Sequence, residues 1–291
     1  MKKVVRMLGL CALVALAFTA CKKDDTQKVT FTANVAQTTC DARTHAEYGT
    51  YLVWNDGDVI KIFNHAGDDM NFTGHGSVGL PGVAEFYATT DEEIDFVKDL
   101  ENDQLPYTAF YPNATVDENG KVNLVIPAEQ TYVEKRSFET DLYPMVGHNN
   151  GTTRFEFVSD AGFLNVLFYT LEPDQVLYVD EIVLTTVDET DYLTGTMVYD
   201  KDGSNYHFVG EGTQVVLTTE APVDIIHSKS TDFTFVLPAG ALWSGFTVQV
   251  KYQGEVLETY EAQPRPNNVI QAQYYTVMID MPLPLPPAPT K

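Results

Sequence analysis

The residues best suited to chemistry in this sequence form incomplete versions of known functional motifs. The segment Gly74–Gly79 (GHGSVG) has the G-x-G-x-x-G spacing of a dinucleotide-binding loop. Such a loop must be followed by a helix whose N-terminus receives the pyrophosphate, whereas Leu80-Pro81-Gly82 favours a turn and another strand. His75 also occupies a position where the G-x-S-x-G nucleophile motif requires glycine. We therefore interpret this segment as a glycine-rich surface loop.

Histidines and acidic runs are the other candidates for metal or acid–base chemistry. None of the six histidines has a second His or a Cys at the short spacing of a structural zinc site; they are His45, His65, His75, His148, His207 and His227. Acidic turns such as Asp200–Asp202 offer oxygen ligands for calcium, but Asn205 stands where an EF-hand loop has glycine. We expect solvated turns, with no metal, cofactor or catalytic residue. A hydrolase with two spatially paired carboxylates remains an alternative, because sequence does not give their separation.

Aromatic residues suggest a binding role as a further alternative. Trp243 and the pair Tyr274-Tyr275 could stack on sugars, although aromatic side chains in β proteins more often fill a sheet face. A stand-alone glycan-binding or ligand-binding surface protein is therefore kept as the second hypothesis.

Composition limits the classes of partner. The 291 residues include 41 acidic and 18 basic side chains, which give a net charge of −23. This balance argues against nucleic acid as a partner, because phosphate binding needs clustered Lys and Arg. Three cysteines are too few for a disulfide-rich scaffold or a four-cysteine zinc site.

The N-terminus has the pattern of a secretory leader. Three basic residues precede the apolar run Met7–Phe18, which is shorter than the roughly 20 residues that a membrane-spanning helix needs. We predict that residues 1–20 are a cleaved signal peptide. Its removal would change the net charge from −23 to −26, because the segment holds three basic and no acidic residues.

Cys21 follows the leader directly. The sequence Phe18-Thr19-Ala20-Cys21 resembles the lipobox of bacterial lipoproteins, which implies that Cys21 is acylated and becomes the mature N-terminus. Residues 21–28 would then be a lipidated linker at the outer membrane. The alternative is an ordinary secretory signal in which Cys21 has no role.

The remainder of the chain predicts an all-β fold. Runs rich in Val, Ile, Thr, Tyr and Phe alternate with turn residues, which favours antiparallel sandwiches or barrels. The expected strands are Val29–Val35, Tyr51–Val53, Val59–Phe63, Ala84–Ala88, Tyr107–Tyr111, Val122–Ile126, Phe155–Val158, Leu164–Thr170, Val176–Thr186, Gly195–Tyr199, Gln214–Thr218, Phe233–Leu237, Phe246–Tyr252 and Val269–Met281. One short helix is expected near Asp91–Leu100.

A polar, proline-containing stretch at Leu171–Gln175 suggests a domain boundary. We predict an N-terminal β-sandwich domain over 29–171 and a C-terminal one over 172–281. The proline-rich residues 282–291 should form an extended tail.

Several strand-borne motifs together resemble the fimbrillin family, including its minor-fimbrillin-like branch. In chain order they are Val29–Ala33, Arg43-Thr44, Trp54–Phe63, Tyr107–Pro112, Leu124–Gln130, Asp141–Met145 and Phe155–Phe157. The resemblance covers residues 21–281 and is strongest in the first half. It implies two tandem transthyretin-like sandwiches in a non-enzymatic lipoprotein subunit of a type V pilus, with a shaft, tip or accessory position left open.

The resemblance also implies a route of assembly. In that family a trypsin-like protease cuts after an arginine near the N-terminus, the first strand is lost, and a C-terminal strand of another subunit occupies the vacated groove. Arg43 is the corresponding processing residue here, with an uncut lipid-anchored protein as the alternative. The candidate donor strand has one face formed by Val269, Gln271, Gln273, Tyr275, Val277, Ile279 and Met281.

Both faces of the donor strand are largely apolar, which is compatible with a strand buried on two sides, either in its own domain or in the groove of a neighbouring subunit. The implied partners are other pilus subunits, the processing protease, the outer membrane and a ligand on a host or bacterial surface. The implied location is the cell surface, and the fimbrium after assembly.

Overall fold

A computed structural model describes residues 30–35, 54–77, 83–103, 106–134, 137–149, 152–227, 229–264, 269 and 274–281. The predicted signal peptide, Cys21, Arg43 and the proline-rich tail lie outside these residues. So do Gln271 and Gln273 of the candidate donor strand.

The described chain is almost entirely β, which confirms the predicted class. The strands are β1 (Thr30–Val35), β2 (Val59–Phe63), β3 (Asp69–Ser77), β4 (Val83–Tyr87), β5 (Thr108–Tyr111), β6 (Thr115–Val116), β7 (Val122–Ile126), β8 (Glu129–Thr131), β9 (Met145–His148), β10 (Arg154–Val158), β11 (Ala161–Tyr169), β12 (Val176–Thr186), β13 (Thr194–Tyr199), β14 (Tyr206–Gly212), β15 (Gln214–Ile226), β16 (Thr231–Pro238), β17 (Phe246–Tyr252), β18 (Glu255–Ala262) and β19 (Tyr274–Asp280). The helices are α1 (Asp91–Asp103) and a short 3₁₀ turn over Thr140–Leu142.

The first sheet closes into a seven-stranded barrel in the order β1-β10-β9-β5-β2-β3-β4. Closure depends on β1, which pairs with β10 on one side and β4 on the other. Of the two expected architectures, sandwich or barrel, this sheet is a closed barrel, because β1 joins its two edges. The β1–β10 pair is also parallel, whereas most pairs in the structure are antiparallel.

The barrel core forms around aromatic side chains. Trp54, only 3% exposed, makes edge-to-face contacts with Phe86, Tyr111 and Phe157 at centroid distances of 5.1–5.4 Å. Such pairs contribute about 0.5–1.5 kcal/mol each beyond the area that they bury. Trp54 therefore anchors the barrel core.

The other strands form three further sheets. Their orders are β16-β11-β19, β18-β17-β12-β15-β8 and β14-β13-β7-β6. The first two of these enclose a second hydrophobic core, in which Leu164, Ile182 and Phe235 have no exposed surface.

The sheets do not follow the predicted division at residue 171. Strand β11 precedes that point and pairs with β16 and β19, which follow it. Conversely, β13 pairs with β7 and places Met197 and Tyr199 in the first core. The tandem transthyretin-like arrangement and the domain limits stay predictions, while the observed strand pairing links the two halves of the chain.

Local signals explain where several elements begin. Thr90 and Glu93 form a capping box at the start of α1: the Glu93 N–H donates to the Thr90 hydroxyl at 3.2 Å, and the Glu93 carboxylate accepts from the Thr90 N–H at 2.8 Å. The turn at Gly57, with φ +92°, leads into β2. The turns at Asp117–Gly120 and Asp200–Gly203 join β6 to β7 and β13 to β14.

The predicted glycine-rich loop is wrong over its first four residues, because residues 74–77 belong to β3. Gly74 of β3 pairs with Phe86 of the adjacent strand β4. A Cβ atom on Gly74 would lie 2.7 Å from the Phe86 ring. Glycine is needed here because an aromatic side chain packs directly on the strand, so this part of the motif has a packing role.

Candidate strand-exchange site

Strand β1 occupies a slot between β4 and β10. Phe31 aligns with Phe86 of β4, while Ala33 aligns with Ala84 of β4 and Phe155 of β10. A strand held on both edges has its backbone donors and acceptors satisfied from two sides. Without β1, β4 and β10 would each present an unpaired edge of the kind that recruits another strand.

The inward face of β1 is fully buried. Phe31 and Ala33 have no exposed surface, and the Phe31 ring lies 5.0 Å from Phe72 and 5.7 Å from Phe155. Loss of the strand would therefore uncover aromatic core as well as backbone edges. The slot accepts a large side chain at position 31 and a small one at position 33.

The outward face of β1 is polar and contacts strand β10. The Asn34 amide donates to the Glu156 carboxylate at 2.8 Å, and the Thr32 N–H donates to the Thr153 carbonyl at 2.9 Å. Thr32 and Asn34 are part-exposed, so the strand is amphipathic with a period of two. Arg43, the predicted processing residue, follows β1 by eight positions and lies outside the described residues.

The candidate donor strand is seated in its own chain as β19. It pairs in parallel with β11, and the Met281 N–H donates to the Tyr169 carbonyl at 2.8 Å. Within the described residues β19 pairs with no second strand.

Two-sided burial of this strand does not occur within the chain. Val277, Ile279 and Met281 are 7% or less exposed, whereas Met278 on the opposite face is 64% exposed. The alternation reflects the edge position, since only one face of β19 rests on the second core. Val269 is also buried, at 3% exposed.

Strands β1 and β19 occupy related positions. Each runs parallel to one of two consecutive strands, β10 and β11, which follow each other in the chain. Each also directs alternate apolar side chains inward. Among the described strands they differ in their neighbours, because β1 has a partner on both edges and β19 on one.

Trp243 lies in the turn between β16 and β17 and is 54% exposed. Sequence left open whether this residue fills a sheet face, and the structure places it on the surface instead.

Asp191, 2% exposed, accepts hydrogen bonds from the Leu242 N–H, the Ser244 N–H and the Ser244 hydroxyl at 2.7–3.0 Å. Sequence reasoning missed the role of Asp191, because its partners are more than 50 residues away.

Asp58 is the other buried carboxylate among the described residues. It accepts from the Asn55 N–H at 2.7 Å and the Tyr111 hydroxyl at 3.1 Å. Desolvation raises its pKa above the usual value, with the charge of Asp141 acting in the same direction and the two hydrogen bonds opposing it. The carboxylate therefore joins the loop before β2 to the end of β5.

A cleft of about 520 Å³ lies where the β13–β14 turn meets the barrel, and its lining includes His65 and His148. The Lys201 ammonium donates to the Gly67 carbonyl at 2.7 Å, and Asp200 is engaged by Lys121. Burial lowers the pKa of His148. Lys201 therefore joins the turn to the barrel, whereas Asp200 joins it to the start of β7.

No helix in the part of the chain that the structure describes is long and apolar enough to span a membrane. The same residues contain no group of three or more His, Cys, Asp or Glu side chains suited to a metal ion.

The chain is similar in structure to several solved bacterial proteins. A protein from Bacteroides ovatus described as a cell adhesion protein aligns with a TM-score of 0.53 and 11% identity, over 88% of this chain and 93% of that one. At this identity the likeness shows a shared fold. A fimbrial assembly protein from Parabacteroides distasonis aligns with a TM-score of 0.32 and 10% identity, over 86% and 90% of the two chains.

A protein from Bacteroides thetaiotaomicron described as polysaccharide-binding aligns with a TM-score of 0.36 and 11% identity, over 86% of this chain and 91% of that one. No protein-family model matches the sequence, and no curated protein matches it.

Proposed function

We propose that the protein is a non-enzymatic, cell-surface adhesive subunit that joins other subunits by exchange of strand β1. The observation that carries this proposal is the position of β1, which closes the barrel between β4 and β10 and buries Phe31 and Ala33 completely. A single six-residue strand near the N-terminus thus covers one slot in the first core.

The physical basis is β-strand addition. An empty slot presents two backbone edges, whose hydrogen bonds supply affinity, and a row of inner pockets, which set the register. An incoming strand needs alternate apolar side chains and would run parallel to β10, as β1 does. Strand β19 of another copy has such a face in Val277 and Ile279, and already pairs in parallel with β11.

Proteolysis is the proposed trigger. Cleavage after Arg43 would separate β1 and the lipidated Cys21 from the remainder of the chain. The subunit would then lose its own strand and its anchor in the outer membrane together. Before cleavage, β1 protects the slot, so the proposal explains how an exported precursor avoids premature association.

The adhesive part of the proposal has separate support. The structural neighbour from Bacteroides ovatus, which shares the fold, is described as a cell adhesion protein. We infer that this chain acts at a cell surface or in a fimbrium and contacts a host or bacterial ligand. Its excess of negative charge would keep free subunits apart until strand pairing outweighs the repulsion.

The test is native proteolysis of the purified protein. Trypsin should produce a species that begins at Thr44, lose the β1 peptide and form oligomers detectable by light scattering. The Arg43→Gln variant should remain monomeric under the same treatment. A synthetic peptide with the sequence of residues 30–35 should slow oligomer formation by refilling the slot.

The proposal fails if the wild-type protein is cut after Arg43 and releases the β1 peptide but stays monomeric at all concentrations. It also fails if β1 remains bound after cleavage and fibres on cells lack the protein. A stand-alone ligand-binding surface protein would then be the better candidate, and the exposure of Trp243 is the observation that favours it.

A further inference from the structure

We propose that strand β14 is a contact surface for a second copy of this chain, with the two β14 strands paired antiparallel about a two-fold axis at Val209. Among the described strands, β14 pairs only with β13, so it is an edge of the sheet β14-β13-β7-β6. A sheet edge is a template for another strand. The contact does not depend on the exchange of β1, because β14 belongs to the chain before and after cleavage at Arg43.

The other edges of the described sheets are less suited to a second copy. Strands β6 and β8 have two and three residues, the Gln130 side chain bonds the backbone of β16, and β19 is the candidate donor strand. Strand β18 is long enough, but it carries Glu255, Glu258 and Glu261 and no basic residue. Two copies of β18 would therefore bring like charges together, which is destabilising.

The backbone of β14 defines how a second strand would pair. A Cβ atom on Gly195 of β13 would lie 2.1 Å from the Val209 carbonyl oxygen, so this carbonyl faces β13. Because the backbone groups of successive residues point to opposite edges of a strand, those of Phe208 and Gly210 face away from β13. An antiparallel pair centred on Val209 places Phe208 of each copy opposite Gly210 of the other as a hydrogen-bonded pair. The two Val209 residues then form the closer, non-hydrogen-bonded pair between them.

The side chains of β14 are self-complementary in this register, which overlaps all seven residues of the strand. It sets His207 of each copy opposite Glu211 of the other, and both side chains are exposed. An imidazole N–H donates to a carboxylate in either protonation state, and the two-fold axis makes this pair twice. The Thr196 hydroxyl donates to the Glu211 carboxylate at 3.2 Å, and a carboxylate accepts several hydrogen bonds, so this contact is compatible with the histidine.

The remaining residues of the strand also fit this register. Tyr206 of each copy lies opposite Gly212 of the other, so both bulky rings of the strand, Tyr206 and Phe208, face a glycine and meet no side chain there. Tyr206 is 40% exposed and Val209 is 45% exposed, so pairing would cover apolar surface of both residues. Charge, shape and backbone pairing therefore favour the same occupant of this edge, a second β14.

The contact should be weak. Seven residues a side is far fewer than the roughly 20–30 of a standard interface, and we expect a dissociation constant of roughly 0.1–1 mM. At micromolar concentration, as in the light-scattering test above, the uncut protein is therefore monomeric. Subunits tethered side by side in an assembly reach millimolar effective concentrations, at which the contact forms.

Sedimentation equilibrium of Arg43→Gln protein without protease tests the contact, because this variant retains β1. Concentrations from about 10 µM to about 1 mM are used in about 0.15 M salt, which screens the net charge of −23. Dimers should form, and Glu211→Lys should weaken them at least about fivefold because both cross-strand pairs are lost. Glu261→Lys on β18 makes the same change in net charge and should stay within about twofold. The double variant His207→Glu/Glu211→His should restore the dimer, since it exchanges the two groups.

Val209→Cys tests the register. The Cα atoms of a non-hydrogen-bonded pair lie about 4.5 Å apart, within reach of a disulfide, so mild oxidation should link two chains at position 209. Peptide mass spectrometry locates the link, because the chain has three native cysteines. Thr259→Cys, exposed on β18, is the control and should not cross-link. Thermal unfolding should show every variant folded.

Four results would overturn the proposal. They are a monomer at about 1 mM, equal dimerisation of Glu211→Lys and Glu261→Lys, failure of the double variant to restore the dimer, and equal cross-linking at positions 209 and 259. None of them bears on the exchange of β1, which is measured after cleavage at micromolar concentration.

Discussion

The side-chain amide of Gln130 pairs with the backbone of Val236 in both directions. Its Nε2 donates to the Val236 carbonyl at 2.8 Å, and its Oε1 accepts from the Val236 N–H at 3.1 Å. Gln130 is 2% exposed and lies in β8, whose backbone pairs with β15. One residue therefore joins two sheets of the second half of the chain, and does so from a strand of the first half.

Gln130→Ala should lower the free energy of unfolding by about 2–4 kcal/mol, because a buried N–H and a buried carbonyl of Val236 lose their partner. Urea denaturation measures this change. Gln214→Ala is the control, since Gln214 is exposed and bonds only to the Thr185 hydroxyl among the described contacts; its effect should stay within about 0.5 kcal/mol. Equal effects of the two substitutions would contradict the assigned role.

Phe31→Ala should lower the free energy of unfolding by about 3–5 kcal/mol, the range for deleting a buried phenylalanine side chain. The loss reflects the contacts of Phe31 with Phe72 and Phe155 inside the barrel. Thr32→Ala, on the outward face of the same strand, should have a much smaller effect. Hydrogen exchange of β4 and β10 should increase in Phe31→Ala alone, and unchanged protection there would show that β1 does not seal these edges.

Asp58 should make the unfolding free energy depend on pH in a defined direction. Burial raises the pKa of this carboxyl in the folded state, so the folded protein holds the proton more tightly than the unfolded chain does. The stabilising contribution is complete below the unfolded pKa, about 4, and is lost as pH rises through the higher folded pKa.

Denaturation curves of wild type and Asp58→Asn across this pH range test the prediction. The stability of the wild type relative to the variant should fall as pH rises, because asparagine does not titrate. Parallel pH profiles for the two proteins would be inconsistent with a raised pKa at Asp58.

Asp191→Ala should release the turn over residues 239–245, which carries Trp243. Three hydrogen bonds to the carboxylate are lost, and the Leu242 and Ser244 N–H groups remain buried without it, so we expect a loss of about 2–4 kcal/mol in stability. Acrylamide quenching of tryptophan fluorescence should change through Trp243, since Trp54 is shielded. Glu189→Ala, an exposed neighbour, should alter neither quantity; a rigid turn in Asp191→Ala would show that other contacts hold it.

The local sequence pattern was sufficient to predict many elements of the fold. Strand β7 has the limits predicted from the sequence, because Val122–Ile126 is a short run rich in apolar residues, two of them valine, that follows turn residues. The sequence also predicts the turn between β13 and β14 from its turn residues, and it predicts a helix that begins at Asp91. These features depend on side-chain periodicity and capping, which neighbouring residues encode directly.

Other strands carried no such signal. Strands β14 and β18 are exposed or part-exposed along their whole length, so their apolar residues do not alternate with a buried face. Their formation depends on pairing with β13 and β17. The sequence prediction missed both strands for that reason.

Phe31 and Ala33 alternate with polar residues, which predicts that β1 buries only one of its faces. The six consecutive residues of β1 are enough for this prediction. Its position between β4 and β10 depends on pairing with segments about 50 and 120 residues further along the chain. The same holds for Asp191 beneath Trp243, for Gln130 against Val236, and for the exposed Met278 on β19. Short-range patterns define the faces of a strand, whereas neighbours and edges depend on long-range pairing that no local pattern specifies.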